Sequence, residues 1–158
     1  MARISRDVAA FVHEQRLGFH ATVSPDGTAN VSPKGTTAVF NEEHLMFADI
    51  RSPQTLRNLE ANPSIEVNVV DPILRRGYRF KGTATVHERG PVVERAHAVF
   101  AAVGYTVAPE RIRAIVLIRV GEIAPLLSPS YDDGSSEADV AAPWAARFAE
   151  RVARWRAG

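Results

Sequence analysis

Up to about Val120 the chain is dominated by alternating apolar and polar positions, a period of two that predicts strands. Leu17 to Ser24 reads as a strand ending in the turn signal Pro25-Asp26-Gly27, and Thr28 to Ser32 returns at once, so the two form an antiparallel hairpin. Pro33-Lys34-Gly35 interrupts the pattern before Thr36 to Phe40 resumes it. Asn41-Glu42-Glu43 then turns the chain into a strand from His44 to Ile50. Ser64 to Val70 and Gly77 to Val86 alternate again. Ile112 to Val120, extending to Ile123, is a long β-branched run. Turns at such intervals belong to a sandwich or barrel.

Helical spacing appears in four places. Ser5 caps a helix running to Gln15, with Val8, Phe11 and Val12 on one face. Ser52 and Pro53 open a second, carrying Leu56, Leu59 and Ala61 and stopped by Asn62-Pro63. A third runs from Pro91 to Val103, with Val92, Val93, Ala96 and Phe100 inward and Gly104 as its stop. After a polar, flexible segment from Ser128 to Val140, the last helix spans Pro143 to Arg156 and carries Trp144, Phe148, Val152 and Trp155. Its arginines make it locally basic. Its aromatic face suits packing on its own domain or a partner subunit better than a membrane surface. There is no internal repeat and no domain boundary, so residues 1–158 form a single domain, with a core over about 17–123 and a tail and helix at 128–158.

Composition narrows the functional classes. A chain of 158 residues buries a substantial core, and a net charge of +1 gives no reason to expect a nucleic-acid partner. With no cysteine, disulfides, thiol nucleophiles and cysteine metal sites are excluded, and a reducing, cytoplasmic setting is expected. No apolar run approaches membrane-spanning length and no secretory leader is visible. The five histidines, His13 among them, are scattered without metal-ligand spacing, so no metal site is expected. Glu42-Glu43 and Asp132-Asp133 are turn and loop acids, and no Gly-rich phosphate loop or nucleophile elbow occurs.

What remains is a set of donors. Asp49-Ile50-Arg51-Ser52-Pro53-Gln54-Thr55 takes a strand into a helix whose first N–H groups and partial positive charge favour an anion. Arg51 adds a charged fork, and Ser52, Gln54 and Thr55 add neutral donors. These seven residues read equally as a capped helix with a surface arginine or as a phosphate grip. Period two sets Arg79 and Lys81 on one strand face, where they are either solvated or meet an anionic ligand.

Taken together, Asn30-Val31-Ser32-Pro33-Lys34-Gly35, Phe47-Ala48-Asp49 running into Arg51-Ser52-Pro53, Asn58-Leu59 through Asn62-Pro63, and Gly77-Tyr78-Arg79-Phe80-Lys81-Gly82 resemble the pyridoxamine 5′-phosphate oxidase family of FMN-binding split barrels. The resemblance covers Leu17 to Val120 in order and spacing. It implies a mainly β fold, a six-stranded antiparallel Greek-key split barrel with flanking helices, and a homodimer with FMN at the subunit interface. By the same resemblance, Arg51, Ser52, Gln54 and Thr55 hold the flavin phosphate with help from Lys81. Val31, Ser32, Pro33 and Lys34 line the isoalloxazine edge, Lys34 stands near N5 or O2, and Asp49 and Ile50 give backbone contacts. Arg79 and Trp144 are candidates for contacting the substrate.

Two departures limit the carry-over. Gln54-Thr55 stand where the family's true oxidases carry a basic pair, and the tail from Ser130 lacks their Arg and His signature. The expectation is therefore an FMN-dependent oxidoreductase acting between a small-molecule electron donor and acceptor, without the vitamin substrate. Its alternatives are a flavin- or haem-binding storage or sensor protein and a deazaflavin-dependent reductase.

Overall fold

The computed structural model describes residues 2–158. It contains α1 (Arg6–Gln15), β1 (Gly18–Val23), β2 (Ala29–Lys34), β3 (Ala38–Asn41), β4 (His44–Asp49), α2 (Pro53–Ala61), β5 (Ser64–Asp71), β6 (Arg76–His87), α3 (Pro91–Ala102), β7 (Ala114–Leu127) and α4 (Glu137–Ala157). The seven strands form one antiparallel sheet in the order β2-β1-β5-β6-β7-β4-β3. The expected split barrel is present with seven strands rather than six, because the short β3, four residues long, pairs with β4 as a strand of its own.

The sheet curls on itself. Although β1 and β4 lie near opposite ends of the strand order, the His20 ring meets the Phe47 ring edge-on at 4.5 Å between centroids. The enclosed core is built from inward positions of most strands, among them Leu45, Phe47, Val67, Val69, Phe80 and Val116, and α1 closes over it with Val8 and Val12. α1 is also tied to β3 by His13, whose Nε2 accepts from the Val39 N–H at 3.0 Å. Outside the barrel, α3 sets Ala96 and Phe100 against Phe40, Met46 and Ile115.

Two glycines set the strand spacing around β6, which pairs with β5 along one side and β7 along the other. A Cβ on Gly77 would stand 2.1 Å from the Val69 carbonyl oxygen, and one on Gly82 would stand 2.3 Å from that of Arg119. Both neighbours are backbone and cannot swing aside. Gly82 also marks the register shift between β6 and β7 at Lys81/Gly82.

A buried polar layer stands behind the curl. Thr37 Oγ1 donates to the Lys34 carbonyl at 2.9 Å, so it must accept from His20 Nε2 at 2.8 Å. That places the ring proton of His20 on Nε2 and leaves Nδ1 buried without a partner. Burial, reinforced by the charge of Lys34, pushes the His20 imidazole down to about 3, so the ring is neutral in the fold. Gly18 belongs to this layer too, since a Cβ there would stand 2.5 Å from Thr37 Oγ1.

The C-terminal part differs from expectation. β7 continues to Leu127, four residues beyond Ile123, because it keeps its ladder with β6 through the Arg76–Leu127 pair. α4 starts at Glu137 instead of Pro143: Ser136 Oγ accepts from the Asp139 N–H, Asp139 answers the Ser136 N–H, and Pro143 lies inside the helix. Ser52, expected to cap α2 with its side chain, makes no such bond and has its hydroxyl engaged elsewhere.

Two stability measurements test these contacts. Gly77→Ala should lower unfolding free energy by about 1–3 kcal/mol in denaturant titration. Gly121→Ala, whose Cβ would sit 3.6 Å from the Lys81 carbonyl oxygen, should cause no such loss. Because His20 is depressed in the fold, the unfolded chain binds more protons between about 3 and 6.5, and stability should fall as pH drops through that window. His20→Gln should flatten that acid limb relative to the parent protein, and an unchanged slope would refute the neutral, buried assignment.

Candidate functional site

The donors gather where the end of β2 meets the corner after β4. Lys34, only 6% exposed, donates from Nζ to Ser32 Oγ at 2.7 Å and to Ser52 Oγ, and its ammonium lies 5.5 Å from the Phe47 ring centre. Burial lowers its pKa and the nearby Asp49 carboxylate opposes that shift. Asp49 is itself buried, with Oδ1 lacking any hydrogen-bond partner, while its carbonyl accepts from the Arg113 N–H at 2.8 Å. The result is a buried cation between two hydroxyls and beside an acceptor with spare capacity.

Arg51 stands at the rim of this cluster. It is exposed and makes no ion pair or side-chain hydrogen bond among the described residues. It stands next to Ser52, whose hydroxyl Lys34 reaches, and directly before the N-terminus of α2. Because β2 is an edge strand, half of its backbone N–H and C=O groups face away from β1.

The remaining corner residues support the site from behind. Gln54 Nε2 donates to Asn58 Oδ1 at 2.7 Å, and Gln54 Oε1 accepts from Arg57 at 2.7 Å, so the Gln54 amide is already committed. Asn58 in turn donates to Thr22 Oγ1 at 3.0 Å, which also accepts from Asn30 at 3.1 Å. Thr55 is 2% exposed and packs inward. Asn58 thus anchors α2 to β1, Gln54 is engaged within α2, and Thr55 is buried. Thr22, Thr37 and His20 are not singled out by the sequence, and Asn58 enters there only within a family motif. The available signal was period two in β1, which sets Gly18, His20 and Thr22 on one face.

The sheet separates two groups of candidates. Ser32, His20, Val67 and Phe80 form one cross-strand row on the inward face, whereas Val31, Ala21, Glu66 and Lys81 form the neighbouring outward row. Lys81 therefore projects from the face opposite Lys34. Both outward cations are paired: Lys81 lies 3.8 Å from Glu122, and Arg79 Nε lies 3.0 Å from Glu66, out of line for a hydrogen bond. Both pairs lie at the surface with their side chains about half exposed. Around them, Phe19 (43% exposed), Val23 and Val31 (59%) leave this face apolar and open, with a concavity of about 350 Å³ reaching from Ala21 to Lys81. Trp144 is half-buried, with the Arg75 guanidinium 4.3 Å from its ring centre. Among the described residues no group of three or more metal-binding side chains occurs, and no helix is long and apolar enough to cross a membrane.

Comparison with known proteins bears on the fold. The barrel superposes on a crystal structure of HupZ from Group A Streptococcus with a TM-score of 0.68 and 30% identity, covering 79% of this chain and 95% of that one. An F420 reductase matches at 0.60 with 23% identity, over 77% of this chain and 98% of its own. An FMN-binding protein from Syntrophomonas wolfei subsp. wolfei matches at 0.61 with 11% identity, over 76% and 86%, which is a likeness of fold alone. No curated protein matches the chain. The family model described as pyridoxamine 5′-phosphate oxidase matches residues 4–125, which span every strand but the last two residues of β7, and the chain belongs to that family.

Proposed function

We propose that the protein is an FMN-dependent oxidoreductase whose cofactor lies along the open edge of β2, with its phosphate at Arg51. The observation that carries this reading is the pairing of a buried, hydroxyl-held ammonium at Lys34 with an unpaired guanidinium at Arg51 on the same corner. An anionic tail and a ring that becomes anionic on reduction need two such cations a few residues apart in space. Membership of the family and the FMN-binding relative of the same fold add support.

When bound, FMN supplies hydride acceptance at its N5. The chain's own part is to bind and to bias charge. Arg51 and the first N–H groups of α2 hold the phosphate, with the Ser52 hydroxyl beside them. Backbone of the β2 edge from Val31 to Pro33, with that of Ile50, reads the ring's pyrimidine edge, the Lys34 and Asp49 carbonyls being already taken by Thr37 Oγ1 and the Arg113 N–H. Lys34 favours the electron-rich state of the ring, and Ser32 and Ser52 hold its ammonium in place. No side chain need act as an obligate acid or base. Lys81 and Arg79, facing the opposite side of the sheet, enter the site only from a second copy of the chain. That second copy makes the site a feature of the homodimer. The tail from Ser130 lacks the Arg and His signature that meets the vitamin's phosphate in the family's true oxidases, so the substrate is a different small molecule.

The absorbance spectrum of the purified protein, followed by titration with FMN, tests this reading. A flavin spectrum or saturable FMN binding is expected. A deazaflavin band, a Soret band or failure to bind added FMN would each overturn the cofactor assignment. Arg51→Ala should weaken FMN binding by about 1.5–3 kcal/mol, roughly ten- to a hundred-fold. Bleaching of the bound flavin by a nicotinamide donor under anaerobic conditions separates an enzyme from a storage or sensor protein.

A further inference from the structure

α4 lies beyond the span matched by the family model, and little of it touches its own barrel. At about 1.5 Å per residue its 21 residues extend roughly 30 Å. Its first turns are fastened: Glu137 pairs with Arg76, Val140 is buried, and Trp144 lies under Arg75. Beyond them every residue from Arg151 to Gly158 is exposed, with Trp155 80% exposed. Phe148, Val152 and Trp155 follow one another at helical spacing and make an apolar stripe. Arg147, Arg151 and Arg154 make a cationic stripe beside it. A helical stretch of this length is marginal in water unless something covers it.

A matching surface lies on the same molecule. Asp7, Phe11 and Glu14 of α1 face Tyr78 of β6 and Leu127 of β7 across a groove of about 440 Å³. The Phe11 and Tyr78 rings meet edge-on at 5.3 Å and make an apolar floor. Leu127 is 58% exposed at the wall. Asp7 and Glu14 have no ion-pair partner among the described residues, whereas Arg76 on the same groove is engaged by Glu137. The two acids are seven residues apart on one helix, and so are Arg147 and Arg154 on the other. Both pairs therefore span about 10 Å.

From these complementary faces we infer that α4 is an exchanged arm, lying in the Asp7–Glu14 groove of a second copy of this chain with its arginines against the two carboxylates. The helix does not occupy its own groove: no residue of α4 lines it, and Arg151 to Gly158 are all exposed. That same placement favours a reciprocal pair. The groove adjoins the root of the arm, so a two-fold axis near Arg76 lays each arm across the other copy. The outward sheet face is the other open apolar surface, but its charges are already paired as Arg79–Glu66 and Lys81–Glu122, leaving nothing to answer the arginines. The arm requires no bound cofactor and stands apart from the flavin assignment.

The absence of cysteine makes the test direct. Ala10→Cys, at the exposed middle of the groove wall, and Arg151→Cys, at the middle of the arm, are expressed in separate full-length chains, mixed, exchanged and treated with a short bismaleimide. A cross-linked heterodimer on a denaturing gel is expected from the mixture and not from either variant alone. The variant carrying both substitutions should link between chains. Linkage within one chain, or no heterodimer in the mixture, overturns the inference, as does a parent protein that sediments as a monomer at micromolar concentration. Glu14→Arg should weaken self-association at least ten-fold, and combining it with Arg147→Glu and Arg154→Glu should restore part of the loss. No effect of Glu14→Arg on self-association would also overturn it.

Discussion

The close approach of β6 to both of its neighbours is the constraint on which the rest of the structure depends. With no side chain at Gly77 or Gly82, the Val69 and Arg119 carbonyls can lie where a Cβ would otherwise be. The long ladders with β5 and β7 close around those two points. The curl of the sheet then brings β1 under β4, so that His20 meets Phe47, and the same curl carries the end of β2 to the corner at Ser52. The candidate site is thus built from distant parts of the chain, and it exists because the barrel closes.

Within that site, electrostatics and burial oppose each other. Lys34 is held away from bulk water, which penalises its charge, while two hydroxyls and the Asp49 carboxylate favour it. A buried ammonium with incomplete compensation gains by meeting negative charge, and the exposed Arg51 can receive an anion with little desolvation. The neutral His20 beneath completes the arrangement, since a second buried cation there would raise the cost of Lys34.

Much of the barrel was legible because period-two alternation and turn residues mark each strand locally. All seven strands correspond to segments visible as alternating or β-branched runs, and the family motifs supplied their closure into a barrel. The parts that were not legible depend on contacts distant in sequence. Ser52 looks like a cap residue in isolation, but a lysine eighteen residues earlier takes its hydroxyl. Lys81 looked like a partner for Arg51 until the register put it on the other face of the sheet. The start of α4 was hidden because Ser135-Ser136 in an acidic, Gly-containing stretch reads as loop, and Pro143 reads as a helix opening when it is in fact interior. The corner itself, including Arg51, was recognisable from the sequence, whereas the amide chain through Gln54, Asn58 and Thr22 needs the folded packing to be seen.

Pro33 on β2 has a further consequence. An edge strand with free backbone groups is a template on which another extended chain can add, the first step towards open-ended aggregation. Proline within a strand sits with its nitrogen on the open side, so β2 has a gap in its row of donors one residue before Lys34. A continuous β-ladder cannot run through that gap. A compact planar ligand that needs only a few isolated groups is unaffected. The edge is therefore a poor template for a further strand, and one imino acid makes the difference.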